Sequence, residues 1–69
     1  MVNELERAQR RKQPITIIYE DSSGHISQRT ILVKRITNTH VLAYCTSRMQ
    51  YRQFEVERIL AADREKSLV

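Results

Sequence analysis

The sequence predicts a single small domain that is mainly β, with a short N-terminal helix before four or five short strands. Apolar residues at helical spacing occur only near the start of the chain, and β-branched and aromatic residues dominate from Ile15 onward. The chain's one glycine, Gly24, lies in a polar run between two such segments. With 69 residues, the domain can bury only about 60% of the surface that its unfolded chain exposes.

The N-terminal segment predicts a helix over residues 3–12. Asn3 can cap it, and Glu6, three residues later, can return the capping hydrogen bond. Pro14 ends it. A helix this short does not persist alone in water, so its apolar stripe must dock on the rest of the domain or on a partner. That stripe consists of Val2, Leu5 and Ala8.

The remaining chain predicts a series of strands joined by polar turns. Residues 15–19 form the first strand, residues 21–24 a hairpin turn, and residues 26–36 the second strand. Asn38 marks the next turn. Two further strands are predicted at 41–45 and 51–56. A short helical turn follows at 56–60, residues 61–62 close the sheet, and residues 63–69 form a frayed tail.

A helix followed by four or five short strands suits a small, strongly bent antiparallel sheet. Closing such a sheet hides edges that would otherwise pair with other chains. We therefore expect residues 15–62 to form a small Sm-like or SH3-like antiparallel barrel.

Composition limits the classes of function. Twelve Lys and Arg against eight Asp and Glu produce a net charge of +4, which modestly attracts anions. Cys45 is the only cysteine, so neither an intrachain disulfide nor a paired-cysteine metal site can form. We expect it to be a small buried hydrophobic residue rather than a reactive thiol. No run approaches the roughly 20 apolar residues of a membrane span, and the expected location is the cytoplasm.

Catalysis finds little support. A covalent mechanism needs a nucleophile, a base and an orienting group, and the available pieces are Cys45, His25 and His40. His25 adjoins a hairpin turn, and His40 and Cys45 are an odd number of positions apart, which places them on opposite faces of one strand. One glycine cannot make a glycine-rich phosphate loop. We expect a non-enzymatic protein that needs no cofactor or metal.

The run Leu42-Ala43-Tyr44-Cys45 and the later Arg52-x-Phe54 and Arg58-Ile59 carry a family resemblance. They resemble the closing half of a WYL domain, with Glu57 at its acidic position. Upstream motifs keep the family's order, so the resemblance covers about residues 5–62. Those motifs are Ala8 with Lys12, Ile17-x-Tyr19, the turn at 21–24, and Ser27-x-Arg29-x-Ile31. Thr39-His40-Val41 stands where the family has Trp-Tyr-Leu, and Val33 stands where it usually has proline.

The resemblance implies an Sm-like barrel and a role in transcriptional regulation. In WYL domains the equivalent arginines, with aromatic and polar groups from the central strand, form a groove that accepts nucleic acid or nucleotide-like effectors. The residues carried over are Arg29 and Arg52 first, then Tyr19, His40, Tyr44 and Arg58. Arg58 has a second interpretation, a pair with Glu55 or Glu57, and Tyr44 could be a core residue with its hydroxyl at the surface.

Two hypotheses of function follow. The first is a regulatory binding module that recognises single-stranded nucleic acid or a related anionic effector, more weakly than the family because the Trp-Tyr stacking pair is replaced. The alternative is a module that binds a partner protein or associates with itself as a homo-oligomer. In that case its arginines are structural. Fourteen residues precede the first strand, too few for a helix-turn-helix, so we expect no reading of duplex sequence by this chain alone.

Overall fold

A computed structural model describes the backbone of residues 2–64 and the side chains of residues 3–63. Within residues 2–64 the fold consists of one helix and five antiparallel strands, which confirms the mainly β class with an N-terminal helix. In chain order the elements are α1 (Val2–Arg11), β1 (Ile15–Glu20), β2 (Ile26–Ile36), β3 (His40–Cys45), β4 (Gln50–Glu55), a 3-10 turn (Val56–Arg58) and β5 (Ile59–Arg64).

The predicted closed barrel is not confirmed. The strands follow the order β4-β3-β2-β1-β5, and within residues 2–64 the two outer strands, β4 and β5, are not paired with each other. The 3-10 turn that joins β4 and β5 is hydrogen-bonded to the loop before β3, where the Val56 amide donates to the Thr39 carbonyl at 2.9 Å. The sheet is therefore bent but open, and its distant strands meet through side chains instead of backbone hydrogen bonds.

Helix α1 differs from the prediction at its start. It begins at Val2, so Asn3 lies inside the first turn instead of capping it. Its end is a Schellman motif, in which the amides of Lys12 and Gln13 donate to the carbonyls of Gln9 and Ala8 at 3.2 and 3.1 Å. Lys12 has a φ of 54°, the left-handed conformation that usually belongs to glycine at this position.

Alternation along the strands separates a buried inner face from an outer face. On the inner face, the buried positions of β1, β2 and β3 are apolar, and Leu5 and Ala8 of α1 pack with them. The Val2 side chain of the predicted stripe lies outside the described residues. The buried core comprises Leu5, Ala8, Ile15, Ile17, Ile31, Val33, Val41, Ala43, Cys45, Phe54 and Ile59.

The β2–β3 and β1–β5 ladders each contain one register shift, and the last strand is longer than predicted. One shift lies between Val33 and Arg35, so Lys34 has no partner on β3, and the other lies beside Tyr19 in the β1–β5 ladder. Strand β5 continues to Arg64, and Asp63 pairs with Thr16, whereas the sequence pattern predicted that the sheet ends at residue 62. Residues 65–69 of the predicted tail lie outside the described residues.

Candidate functional site

A concave groove of about 370 Å³ opens where β1, β2 and β4 approach one another and the hairpin turn adjoins the 3-10 turn. Five of the six residues predicted as ligand contacts line it: Tyr19, Arg29, His40, Arg52 and Arg58. Asp21, Ser22, Gln53, Phe54 and Glu55 complete the lining. The groove is named here the arginine groove.

Strand periodicity positions Arg29 and Arg52. Arg29 lies two residues before the buried Ile31 on β2, and Arg52 lies two residues before the buried Phe54 on β4. Both therefore belong to the inner face, at the point where each strand's core stripe reaches solvent. The sheet brings together two guanidinium groups that are distant in the chain.

Arg29 is half-buried and packed in place. Its Nε donates to Ser27 Oγ at 3.2 Å, and its Cζ lies 6.0 Å from the centroid of the Phe54 ring, the range of a cation–π contact. Among residues 3–63 no carboxylate forms a salt bridge with it. Arg29 thus holds a positive charge at the groove that the described protein does not neutralise.

Arg29 also affects the pKa of Cys45, which is fully buried, as predicted. Burial raises the pKa of this thiol, but the Ser47 hydroxyl, 3.5 Å from Sγ, the Arg48 backbone amide and the nearby Arg29 guanidinium together outweigh burial and lower the pKa overall. His40, on the same strand, has intermediate exposure in a strict alternation with the buried positions. The alternation places His40 and Cys45 on opposite faces.

Arg52 is exposed, and its guanidinium makes no hydrogen bond or salt bridge to the part of the chain that the structure describes. Its backbone is fixed by the ladder, where it is opposite Ala43 on β3. A well-placed backbone and an unengaged head leave this side chain available to an anion in the groove.

Arg58 has protein partners. Its Nε forms a salt bridge with Glu55, and its Nη1 donates to the Asp21 carbonyl at 3.0 Å. The hydrogen bond to the Glu55 carboxylate raises the pKa of Arg58 above its ordinary value. The structure thus shows the glutamate pair that was one of the two interpretations of Arg58, and its partner is Glu55.

Tyr19 and Phe54 form the floor of the groove. Their rings meet edge to face, with centroids 5.0 Å apart and an interplanar angle of 80°. The Tyr19 hydroxyl accepts a hydrogen bond from the Glu55 amide at 3.1 Å. Phe54 is buried, and its ring also supports Arg29.

His40 lies at the start of β3 and is half-buried. Its Nδ1 is 2.9 Å from Thr39 Oγ1, so one ring nitrogen is engaged by the neighbouring hydroxyl. A histidine in this position can donate a hydrogen bond or stack on a planar ligand.

Tyr44 is not brought together with the other predicted site residues. It follows Ala43 on β3, so its side chain is on the outer face, where its ring meets that of Tyr51 with centroids 5.2 Å apart. Strand parity separates it from Arg52, and its place near the end of β3 separates it from His40, which has the same parity but lines the groove from the start of β3.

Two acidic residues line the groove, Asp21 and Glu55, and the sequence named only Glu55, as a possible partner of Arg58. Asp21 Oδ1 accepts hydrogen bonds from the Ser23 amide, the Ser23 hydroxyl and the His25 amide at 2.9, 2.7 and 3.0 Å. These bonds, the Ser23 hydroxyl first, lower the pKa of Asp21. Glu55 is held by Arg58. The turn motif at 21–24 indicates the local hydrogen bonds of Asp21, but the proximity of Asp21 to Arg58 depends on the fold.

The described residues contain no group of three or more His, Cys, Asp and Glu side chains that could hold a metal ion. No helix among them is long and apolar enough to cross a membrane. What the groove can do chemically is hold an anion between two guanidinium groups above an aromatic floor.

Comparisons with known proteins identify the family and support the fold. The family model of the WYL domain matches residues 1–64. A solved structure of proteasome accessory factor B/C (PafBC) of Arthrobacter aurescens superposes with a TM-score of 0.83 at 19% identity, over 99% of this chain and 11% of that one. The chain therefore spans about a ninth of PafBC, and the likeness concerns the fold. No curated protein matches the chain.

Proposed function

Because this chain belongs to the WYL domain family, we propose that it is a regulatory, non-catalytic binding module whose arginine groove takes a phosphate-bearing anion. The ligand is single-stranded nucleic acid or a nucleotide-like effector. The observation that carries the proposal is the pair Arg29 and Arg52, two guanidinium groups on adjacent parts of one groove without carboxylate partners among residues 3–63.

Guanidinium chemistry favours this ligand class. The planar fork of arginine donates two parallel hydrogen bonds to a phosphate, and it is weakly hydrated compared with an ammonium group. Arg29 is pre-oriented by Ser27 and Phe54, so it loses little side-chain freedom on binding. Arg52 supplies the second, more mobile contact.

Recognition beyond the phosphate has fewer elements. The Tyr19 ring is committed to Phe54 and its hydroxyl to Glu55, which leaves His40 as the ring that can stack on a base. Each stacked base contributes about 1–3 kcal/mol in single-stranded recognition. We therefore expect binding that depends strongly on charge and weakly on base identity.

The test is fluorescence anisotropy of labelled single-stranded DNA and RNA oligonucleotides titrated with the full chain at two salt concentrations. If three phosphates are engaged, log affinity falls with log salt at a slope of roughly −2. Arg29→Ala/Arg52→Ala should remain folded and lose binding. Unchanged affinity in that folded variant would refute the assignment.

A matched control keeps the net charge of the double variant. Arg35 and Arg48 are exposed and do not line the groove, so Arg35→Ala/Arg48→Ala removes the same charge from elsewhere. If attraction is general rather than local, both double variants weaken binding equally. The proposal requires that only the groove variant does so.

A second candidate function, a protein-interaction or self-association module with structural arginines, is favoured by the open sheet. Among the described residues, the outer edges of β4 and β5 have no partner strand, and such edges accept a strand from another chain. In that case Arg29→Ala/Arg52→Ala lowers the free energy of unfolding, and association responds little to salt. Thermal unfolding of the same variant distinguishes the two functions.

A further inference from the structure

A second cleft, of about 660 Å³, lies between the end of α1 and strands β2 to β4, and most of the sheet residues that line it belong to the outer face. It shares no lining residue with the arginine groove. Tyr51 lines the cleft and its neighbour Arg52 lines the groove, since successive residues of β4 point to opposite faces. The cleft is named here the tyrosine cleft.

The wall of the tyrosine cleft is an apolar row across three strands. Leu32 of β2 is opposite Tyr44 of β3, which is opposite Tyr51 of β4. Tyr51 is 56% exposed, high for a large aromatic residue within a sheet. The two tyrosine rings meet edge to face at 74°, so they form an angled recess instead of a flat stacking surface.

Two lysines flank this wall. Among the described residues the lining includes Lys12 and Lys34 and no carboxylate. An apolar recess between two unopposed positive charges complements a segment that carries an apolar side chain between carboxylates. The angled rings suit an aliphatic or phenyl side chain better than a series of stacked bases.

The backbone at both lysines is irregular in ways that place their side chains at the cleft. Lys34 is the extra residue of the β2 bulge, and its carbonyl accepts a hydrogen bond from Gln9 Nε2 at 2.7 Å, which ties α1 to β2 beside the cleft. Lys12 holds a left-handed φ of 54°, where glycine would fit with less strain. A lysine at this position has a side chain that glycine would not supply, and it lines the cleft.

We propose that the tyrosine cleft docks an acidic amphipathic peptide segment of a partner protein. The segment's apolar side chain packs between Leu32, Tyr44 and Tyr51, and its carboxylates pair with Lys12 and Lys34. This inference does not rest on the proposed function, because the two sites have no residue in common. Either site can fail its test while the other passes.

The experiment is an NMR titration of the ¹⁵N-labelled full chain with a short peptide in which a Phe-Leu pair is flanked on both sides by glutamates. We expect amide shifts at Leu32, Lys34, Tyr44 and Tyr51. Lys12→Gln/Lys34→Gln should weaken binding about tenfold, as loss of two exposed charge pairs allows. Replacing the Phe-Leu pair by two serines should abolish binding.

A control variant removes the same charge outside the cleft. Arg10→Gln/Arg35→Gln changes two exposed arginines that do not line the cleft, and it should bind the peptide within about twofold of the unmodified chain. The proposal is overturned by any of three results: no shifts at about 1 mM peptide, equal binding when glutamines replace the glutamates, or shifts confined to the arginine groove. Perturbation of the same amides by an oligonucleotide instead of the peptide would also overturn it, and would assign the cleft to nucleic acid.

Discussion

The Tyr19 hydroxyl accepts a hydrogen bond from the Glu55 amide at 3.1 Å, although two strands separate β1 from β4 in the sheet. This contact exists because the sheet is bent strongly enough to bring β1 and β4 together across its inner face. With the edge-to-face contact of Tyr19 and Phe54, it connects the β1 and β4 sides of the arginine groove. The site therefore depends on tertiary contacts that no single strand encodes.

Removal of the Tyr19 hydroxyl tests that connection. Tyr19→Phe keeps the ring contact with Phe54 and leaves the Glu55 amide without its acceptor, so the free energy of unfolding should fall by about 1 kcal/mol. Urea unfolding monitored by circular dichroism measures it. Tyr51→Phe, at an exposed position on the outer face, should stay within about 0.5 kcal/mol of the unmodified chain. Equal stability of the two variants would mean that the hydroxyl contributes nothing.

The docking of α1 depends on Leu5, which is fully buried in the core. Leu5→Ala should lower the free energy of unfolding by about 2–5 kcal/mol through lost burial and a cavity. A domain of this length has a total stability of roughly 3–10 kcal/mol, so much of the variant should unfold at moderate urea concentrations. Glu6→Ala, at the exposed neighbouring position, is the control. A change of under about 1 kcal/mol in Leu5→Ala would show that α1 is not part of the folded unit.

Lys12 ends α1 in the left-handed conformation. Lys12→Gly relieves the contact between Cβ and the backbone at this φ, and we expect the free energy of unfolding to rise by about 1 kcal/mol. Lys12→Ala keeps the Cβ and should bring no such gain. The glycine variant should at the same time bind the acidic peptide more weakly, because one lysine of the tyrosine cleft is lost. A destabilised Lys12→Gly would contradict the assigned helix end.

The carboxylate of Asp21 makes stability depend on pH. The Ser23 hydroxyl, then the His25 amide, lower its pKa in the folded state below the ordinary value of 3.8. Its stabilising contribution is present above pH 3.8 and is lost as the pH falls through the folded-state pKa. Asp21→Asn should therefore be less stable than the unmodified chain at neutral pH, with a difference that shrinks in acid.

Ser23→Ala supplies the complementary observation. Loss of the hydroxyl should move the pKa of Asp21 back toward 3.8, as followed by NMR titration of its carboxyl carbon. An Asp21 pKa that does not change in this variant would assign the shift to another cause.

Most of the fold could be predicted from periodicity, because alternation and turn chemistry are local. The predicted limits of β1 to β4 lie within one residue of those observed. The sequence pattern predicted a helical turn at 56–60, whereas the 3-10 turn covers only Val56–Arg58 and β5 begins at Ile59, where tertiary context pairs it with β1. Barrel closure depends on backbone pairing between outer strands, which no local pattern encodes.

The residues of the site, too, could be predicted only in part from the sequence. The family motifs order Tyr19, Arg29, His40, Arg52 and Arg58 along the chain, and all of them line the arginine groove. Tyr44 does not: it lies between the buried Ala43 and Cys45 and so points away from them, and it is near the opposite end of β3 from His40. Glu55 could not be assigned to Arg58 instead of Glu57 without coordinates.

We propose that Arg29 and Arg52 hold an anionic ligand in the arginine groove. The most direct measurement is an NMR titration of the arginine Nε–Hε signals with a short single-stranded oligothymidylate. We predict that the signals of Arg29 and Arg52 shift together and saturate with one dissociation constant, while those of Arg35 and Arg48 stay in place. Absence of any shift at about 1 mM ligand, or shifts of Arg35 and Arg48 alone, would contradict the account.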